Sequence, residues 1–365
     1  MRVAVIGAGA IARRGHLPAL KKLDGVEVRA IVDTDEDLAK KVAREFNVPS
    51  YFSRYEEALD RESLDLVDIC TPPTVRLPVI EAAAEAGKHV LVEKPLALSV
   101  QEGTRICEVV SRSGVKLNVV TNYRHFPAVL QAKRRISGQR IGRIVTMHSL
   151  GSSQFPSEYT RGTWQYNEGG ALFDFGPHVV DLLMWFARTP VRRVAAFGGD
   201  LTRGDMGFLT FAQLLIEFDN GLVATVDLSW VTGIFRFTVE IRGTGGHICL
   251  DVRNDASLEL RCFHTPIDDA RAFLRRVLGV SKGVIDGTYF SGANLFYPVL
   301  IKKFIDSVRS DSRPPSPGEQ GVAVVAVLEA AQKSIREGRP VFVEELFGQH
   351  SLYDSVRQAF GNDQP

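Results

Sequence analysis

The sequence predicts an α/β chain: an N-terminal Rossmann domain with a doubly wound parallel sheet, then a C-terminal α+β domain with a mostly antiparallel, open sheet. Three observations predict this. Short apolar runs alternate with helical stretches through the first third of the chain. A glycine-rich turn, Gly7-Ala8-Gly9, follows the first of those runs. Beyond about residue 123 the pattern changes to strand-like runs, two of them joined by a hairpin-type turn. The expected boundaries are 1–123 for the nucleotide domain, 124–345 for a substrate-binding and oligomerisation domain, and 346–365 for a tail.

In order along the chain, Val3 to Ile6 is the first strand, and the glycine turn leads into a helix through about Lys22. Val28 to Val32 is a second strand ending in Asp33, and Asp37 to Phe46 continues as a helix. Leu66 to Cys70 is a buried strand stopped by Thr71-Pro72-Pro73; Pro78 to Ala86 is helical, with Gly87 as its C-terminal stop. His89 to Val92 and Lys116 to Val120 supply two more strands, with the helix Val100 to Arg112 between them. Strands separated by helices need crossover connections, which are right-handed almost without exception, so the sheet is parallel and covered on both faces.

After Asn122-Tyr123-Arg124-His125, a helix from about Pro127 to Ile136 leads into a strand from Gly142 to Leu150. Phe208 to Phe218, Leu222 to Trp230, Phe235 to Arg242 and His247 to Leu250 are strand-like too. Asp219-Asn220-Gly221 between two of them reads as a type I′ hairpin turn. In Phe211 to Phe218 apolar residues fall on more than one face, which suggests an oligomer interface, with a fully packed monomeric core as the alternative. Asn294 to Arg309 and Glu319 to Glu337 are helical, separated by the proline-rich turn Arg313 to Gly318. The segment His264 to Gly292 has no clear periodicity, and no internal repeat is found.

Composition bounds the partners. With 365 residues, 45% of them hydrophobic, and a formal net charge of +1, the chain can bury two cores. Its charge gives no electrostatic case for a nucleic acid or an anionic membrane, so a small-molecule ligand is expected. Met1-Arg2 runs straight into a strand rather than a signal peptide, and no apolar run approaches the roughly 20 residues of a membrane span. The four cysteines, Cys70, Cys107, Cys249 and Cys262, show no metal or redox spacing, so a reduced, cytoplasmic protein is expected.

Gly7 permits a tight turn, Gly9 lets backbone approach a pyrophosphate, and Ala12 stands where the third glycine of a dinucleotide fingerprint packs helix on strand. Asp33, about 20 or more residues on, can accept hydrogen bonds from the adenosine ribose hydroxyls and would repel a 2′-phosphate, so NAD is preferred over NADP. A tight turn without any phosphate is the alternative. Glu93-Lys94-Pro95 ends an apolar strand at the carboxyl edge of the sheet, where ligands bind in open α/β folds. An ammonium there can hold a substrate hydroxyl or the developing carbonyl oxygen; read without function, Lys94 is a solvated loop residue.

Glu168 to Asp181 reads as a glycine turn entering an apolar helix. Asp174, His178 and Asp181 would share one helical face, although Pro177 suits a first turn and moves the regular start toward Gly176. His178 has the ordinary pKa range for taking a hydroxyl proton as hydride leaves carbon; Asp174 would orient it or hold a substrate hydroxyl, and Asp181 is expected as a structural partner. The same three residues are legitimate metal ligands, but no further ligand cluster completes such a site and no metal is expected. A structural capped helix remains the other reading.

These strings together resemble the family of glucose-fructose oxidoreductase, inositol dehydrogenase and rhizopine-catabolism (Gfo/Idh/MocA) proteins, NAD(P)-dependent oxidoreductases. The resemblance runs from Gly7-Ala8-Gly9-Ala10-Ile11-Ala12 through Cys70-Thr71-Pro72-Pro73 and Ala86 to Pro95, to Gly169-Gly170-Ala171-Leu172-Phe173-Asp174 and His178. It implies that Lys94, Asp174 and His178 carry substrate binding and proton transfer. Thr71, Pro72, Glu93 and Asn122 would line the nicotinamide side, and Gly7, Gly9, Ala10, Ile11, Ala12 and Asp33 would hold the dinucleotide. It also implies a secondary hydroxyl of a sugar, inositol, sugar nucleotide or related polyol as the group oxidised. Tyr123, Arg161, Trp164 and Gln165 are expected near the substrate, with Trp164 equally suited to a core. Where relatives often have a histidine, this chain has Arg76, which is expected to meet a cofactor phosphate or an acidic substrate. A homodimer or homotetramer is expected. The rivals are an NAD-retaining glycosidase working through transient oxidation and a non-catalytic NAD-binding regulator.

Overall fold

The structure is a computed structural model that describes residues 1–154, 163–165, 169–202, 208–252, 259–261 and 296–361. The chain divides into two compact units, one of Met1–Asn122 with Asn294–Val322, the other of Tyr123–Ala293 with Ala323–Pro365. The first segment of the first unit ends at Asn122, and the expected boundary lay at residue 123.

In the first unit, β1 (Arg2–Ile6), β2 (Glu27–Val32), β3 (Ser50–Phe52), β4 (Leu66–Ile69), β5 (His89–Val92) and β6 (Leu117–Val119) form a six-stranded parallel sheet in the order β3-β2-β1-β4-β5-β6. The order reverses between β1 and β4, and ligands of such sheets bind outside the carboxyl ends of the strands at that point. The central strands are apolar along their whole length because both faces are covered: Val3, Ala4, Val5, Leu66 and Val67 are fully buried. The crossovers are α1 (Leu17–Leu20), α2 (Glu36–Glu45), α3 (Tyr55–Arg61), α4 (Arg76–Glu85) and α5 (Val100–Ser113). Asp35 caps α2 by accepting from Leu38 N–H at 3.0 Å, Ser99 caps α5 by accepting from Glu102 N–H, and α5 stops at Gly114. β3 and α3 are additions to the expected elements; a three-residue edge strand is too short to show a period.

One expectation about domains is corrected. The helix Tyr297–Arg309, read as part of the second domain, packs in the first. Its Tyr297, Leu300, Ile301, Phe304 and Ile305 are buried with Leu17, Leu20, Val28 and Ile31 in one core. The proline-rich turn that follows is tied to β6, since Val119 N–H donates to Ser316 O and Ser316 N–H to Asn118 Oδ1, both at 2.8 Å.

The second unit holds α6 (Pro127–Ser137), β7 (Ile144–Gln154), α7 (Gly170–Asp174), α8 (Gly176–Ala187), β8 (Val191–Gly199), β9 (Phe211–Phe218), β10 (Val223–Ser229), β11 (Val231–Gly243), β12 (Gly246–Asp251), β13 (Glu259–Arg261) and β14 (Val341–Phe342). The strands build an eight-stranded sheet, β13-β12-β11-β7-β10-β9-β8-β14, parallel between β7 and β10 and antiparallel elsewhere. α8 packs on β7 and β10. Along β9, Ala212, Leu214, Ile216 and Phe218 are buried while Gln213 and Leu215 are exposed, the alternation of a sheet covered on one face.

The turn between β9 and β10 forms where Asp219-Asn220-Gly221 predicted it, with a different geometry. Gly221 alone has a positive φ, 81°, and its N–H donates to Phe218 O while Phe218 N–H donates to Leu222 O. This is a three-residue loop closed by a left-handed glycine rather than type I′, which needs two positive φ angles. The helix Gly318–Glu337 begins in the first unit and ends in the second. The expected tail belongs to the second unit, where Phe347, Val356, Ala359 and Phe360 are buried. Among the described residues no helix is long and apolar enough to cross a membrane.

Candidate active site

β1 delivers the chain into the glycine turn. Gly7 has φ +94°, and a Cβ there would stand 3.0 Å from Cys70 C and Thr71 N, so backbone after β1 and backbone after β4 touch only because glycine is present. Gly9 has nothing within 4 Å of its would-be Cβ, which leaves its backbone open to a diphosphate. Helical backbone runs from Ala10 to Leu20 and contains a π-turn at Ala12–His16, with Ala12 fully buried. Asp33, just past β2, accepts from Ala8 N–H at 2.7 Å and from Asp35 N–H at 3.0 Å. One donor lies on each oxygen, so the carboxylate is fixed in place and both oxygens keep a lone pair for ribose hydroxyls.

Beyond β4 and β6, Thr71 Oγ1 and Asn122 Oδ1 are buried with no hydrogen-bond partner among the described residues. Buried polar atoms are rarely left unsatisfied, and a carboxamide is the type of group that satisfies a hydroxyl and an amide oxygen. The open backbone at Gly9, the anchored Asp33 and these two orphaned atoms fit a nicotinamide dinucleotide.

Glu93 follows β5 and is almost fully buried. Its Oε1 accepts from Tyr297 Oη at 2.9 Å and faces His16 Nε2 at 2.9 Å; its Oε2 accepts from the N–H of Lys94 at 3.0 Å. The other ring nitrogen, His16 Nδ1, lies 2.9 and 2.8 Å from the two oxygens of Asp68, and His16 and Asp68 are both fully buried. Burial opposes a charge on His16, yet Asp68 prevails and raises its pKa well above 6.5. Burial likewise opposes ionisation of Glu93, but the hydrogen bond and charge of His16, with Lys94 and Arg76, hold its carboxyl at about 2. Burial pushes the Cys70 thiol up to about 12. His16, Asp68 and Cys70 place donor atoms within 4.8 Å of one another. With both imidazole nitrogens on carboxylates and the thiol neutral, the cluster is a buried ionic network rather than a metal centre.

Arg76 departs from expectation. It is 2% exposed, and its guanidinium donates to Thr71 O at 2.9 and 2.7 Å and to the carbonyls of Glu93 and Pro95. Four of its five N–H donors go to backbone carbonyls, so it braces the turns after β4 and β5. Burial lowers its pKa to about 10. Lys94 itself is half-buried, and the Lys94-Pro95 peptide bond is cis.

In the second unit, Gly170 has φ +52°, and a Cβ on it would stand 2.6 Å from Leu209 O, the same carbonyl that accepts from Ala171 N–H. The helix interrupts at Phe175, so Asp174 ends α7, and α8 starts at Gly176 with Pro177 in its first turn. His178, half-buried, meets the ring of Tyr123 edge-on at 4.7 Å and that of Phe175 at 6.2 Å. Asp181 turns to Arg124, whose Nε donates at 2.8 Å in a buried ion pair; the guanidinium is 5.6 Å from the Trp185 ring and 5.2 Å from Phe360. Trp164 lies against Gly169, and Gln165 is half-buried; Arg161 falls outside the described residues. Lys94 belongs to the first unit, and Asp174, His178, Tyr123, Trp164 and Gln165 to the second.

Sequence reading missed His16, Asp68, Tyr297 and Arg124. One signal was available for the first pair: Asp68 is a carboxylate inside the apolar run Leu66-Val67-Asp68-Ile69, and a buried charge requires a partner.

A six-stranded parallel sheet with this glycine turn, an acidic residue after β2 and a lysine after β5 defines an NAD(P)-dependent oxidoreductase with a Rossmann domain. The chain belongs to the GFO/IDH/MocA oxidoreductase family: residues 1–121 match the family's NAD-binding Rossmann fold and residues 129–249 its C-terminal domain. It is 28% identical over 349 residues to scyllo-inositol 2-dehydrogenase (NAD(+)) of Bacillus subtilis, covering 93% of this chain and 96% of that one. It is also 28% identical over 346 residues to D-xylose 1-dehydrogenase (NADP(+)) 2 of Haloferax volcanii, covering 93% and 99%. The fold is that of the WlbA dehydrogenase from Bordetella pertussis in complex with NADH and UDP-GlcNAcA, with a TM-score of 0.80 and 24% identity over 94% of this chain and 97% of that one.

Proposed function

We propose that the chain oxidises a secondary hydroxyl of a sugar or cyclic polyol, with NAD as the preferred cofactor. The observation that carries the reading is the position of Lys94. It follows β5, beside the β4 end that bears Thr71, on the same sheet edge as the glycine turn, and its turn is braced by Arg76 and Glu93. In the reaction a C–H and an O–H bond break and a C=O bond forms. NAD, held by the turn at Gly7 and Gly9 and by Asp33, would supply the hydride acceptor. His178 takes the hydroxyl proton on its imidazole, Lys94 donates a hydrogen bond to the oxygen as it becomes a carbonyl, and Asp174 holds a neighbouring hydroxyl. The Asp33 carboxylate, fixed by two backbone donors, favours a free ribose 2′-hydroxyl over a phosphate.

The test is cofactor reduction by purified protein across inositols, aldoses and sugar nucleotides, with NAD and NADP in parallel. Lys94→Ala and His178→Ala are each expected to lower kcat by about 10²- to 10⁴-fold, with NADH affinity retained. Turnover unchanged in both variants contradicts these roles.

We also propose that a second copy of the chain covers the exposed face of the eight-stranded sheet. Phe197, 77% exposed, and Leu215, 49% exposed, stand there among Gln213, Thr225 and Asp227, and such a mixed apolar and polar face suits self-pairing about a two-fold axis.

A further inference from the structure

We propose that His16 is a positioning residue of the hydride-transfer site. As an imidazolium locked between Asp68 and Glu93, it fixes the Glu93-Lys94-Pro95 turn against the helical segment that follows the phosphate-binding turn. The inference rests on the role assigned above to Lys94.

Hydrogen-bond accounting carries it. Each ring nitrogen of His16 faces a carboxylate, Nδ1 toward Asp68 and Nε2 toward Glu93, at 2.8 to 2.9 Å. A neutral imidazole has one N–H and one lone pair, so either tautomer would set a bare nitrogen against a carboxylate oxygen. Only the ring with both nitrogens protonated donates in both directions. Glu93 already accepts from Tyr297 Oη and from the Lys94 N–H, which keeps it in the acceptor-only, ionised form. The groups facing the imidazolium are therefore the two carboxylates, the neutral Cys70 thiol, and the Tyr297 ring, 4.8 Å away and tilted by 52°. Arg76 donates to the Glu93 carbonyl, and its charge and that of Lys94 further favour the ionised Glu93.

The connectivity gives the network its consequence. His16 closes the π-turn that starts at Ala12, Asp68 lies in β4, and Glu93 follows β5, so one ring joins the three segments that border the dinucleotide turn. The Glu93 side chain also accepts from the backbone of the residue that bears the ammonium. Lys94 is thus held from two sides, by Glu93 through its own N–H and by Arg76 through the carbonyls of Glu93 and Pro95. Removing the imidazolium leaves two buried carboxylates facing each other's space, and the turn between β5 and Pro95 relaxes to separate them.

Two measurements on the full chain need no substrate. Long-range 1H–15N spectra of the wild type should show both His16 nitrogens protonated at pH 8; a neutral single tautomer there overturns the proposal. A crystal structure of His16→Gln with NADH should show Lys94 Nζ displaced or spread over several rotamers, and an unmoved Lys94 overturns it. Tyr297→Phe, which removes one bond to Glu93 and keeps the ring, serves if His16→Gln fails to fold, and is expected to move Lys94 less. With a substrate in hand, His16→Gln and Asp68→Asn should each lower kcat by about 10- to 100-fold, the scale of a misplaced reacting group. KM and NADH affinity should stay within about threefold, and the double variant should be no slower than either single one. If Lys94→Ala leaves kcat intact, the proposed function fails. If Lys94→Ala abolishes turnover while His16→Gln keeps full kcat, only the positioning role fails.

Discussion

Glu93 shows how a single side chain is set by its neighbours. A carboxyl group buried this deeply would ordinarily stay neutral, but it accepts from Tyr297 and the Lys94 amide and faces His16, and so remains charged. The linkage has a definite sign. His16 has a folded pKa raised well above 6.5, so its stabilisation is complete below pH 6.5 and fades as pH rises through the raised value. Glu93, at about 2 against an ordinary 4.5, stabilises fully above pH 4.5 and loses this as pH falls through about 2. The difference in Tm between wild type and His16→Gln should be largest between pH 4.5 and 6.5, persist near neutrality and shrink in strong alkali. Thermal scans across pH in which the gap widens from pH 7 to 10 contradict the network. Asp33, Gly7, Glu93 and Lys94 were legible in the sequence because local spacing marks them. The partnership of His16 with Asp68 was not, because 52 residues separate them. Arg76 was misread for a related reason: sequence names a guanidinium, but only the fold decides whether it meets a ligand or the carbonyls of Thr71, Glu93 and Pro95.

Among the elements, the passage from Gly169 to His178 is the most demanding. Gly170 needs a left-handed backbone and a bare Cα beneath the Leu209 carbonyl, and both demands are removed by any side chain. Gly170→Ala should therefore destabilise the second unit by about 2 to 4 kcal/mol, read as a shift in denaturant midpoint, and a loss below about 0.5 kcal/mol contradicts the strain. Pro177 made the start of α8 legible, since a proline fits the first helical turn, and the helix indeed begins at Gly176. The hairpin after β9 was legible as a turn but not as a type, because Asp-Asn-Gly suits both a two-residue and a three-residue loop and strand register decides between them. β3 and α3 were hidden: three half-buried residues and a seven-residue helix with one fully buried alanine carry little periodic signal.

At the scale of the whole molecule, the chain leaves its first unit at residue 122 and returns to it at the helix Tyr297–Arg309. The first crossing was legible from the change of period. The return was not, since the apolar stripe Tyr297, Leu300, Ile301, Phe304 and Ile305 says that the helix buries one face without saying against which sheet. The exposed sheet face leads to a prediction of assembly. Light scattering should give a multiple of the chain mass for the wild type, and Phe197→Asp with Leu215→Lys should yield monomers that retain their fold; a wild-type monomer at micromolar concentration contradicts the proposed pairing. The central claim is hydride transfer from a carbinol carbon to a nicotinamide, and the most direct measurement is cofactor reduction with a polyol deuterated at the oxidised carbon. The account predicts net formation of deuterated NADH and a primary isotope effect on the single-turnover rate. Tight dinucleotide binding with no reduction by any polyol or sugar, or sugar release with no net change in cofactor, contradicts it.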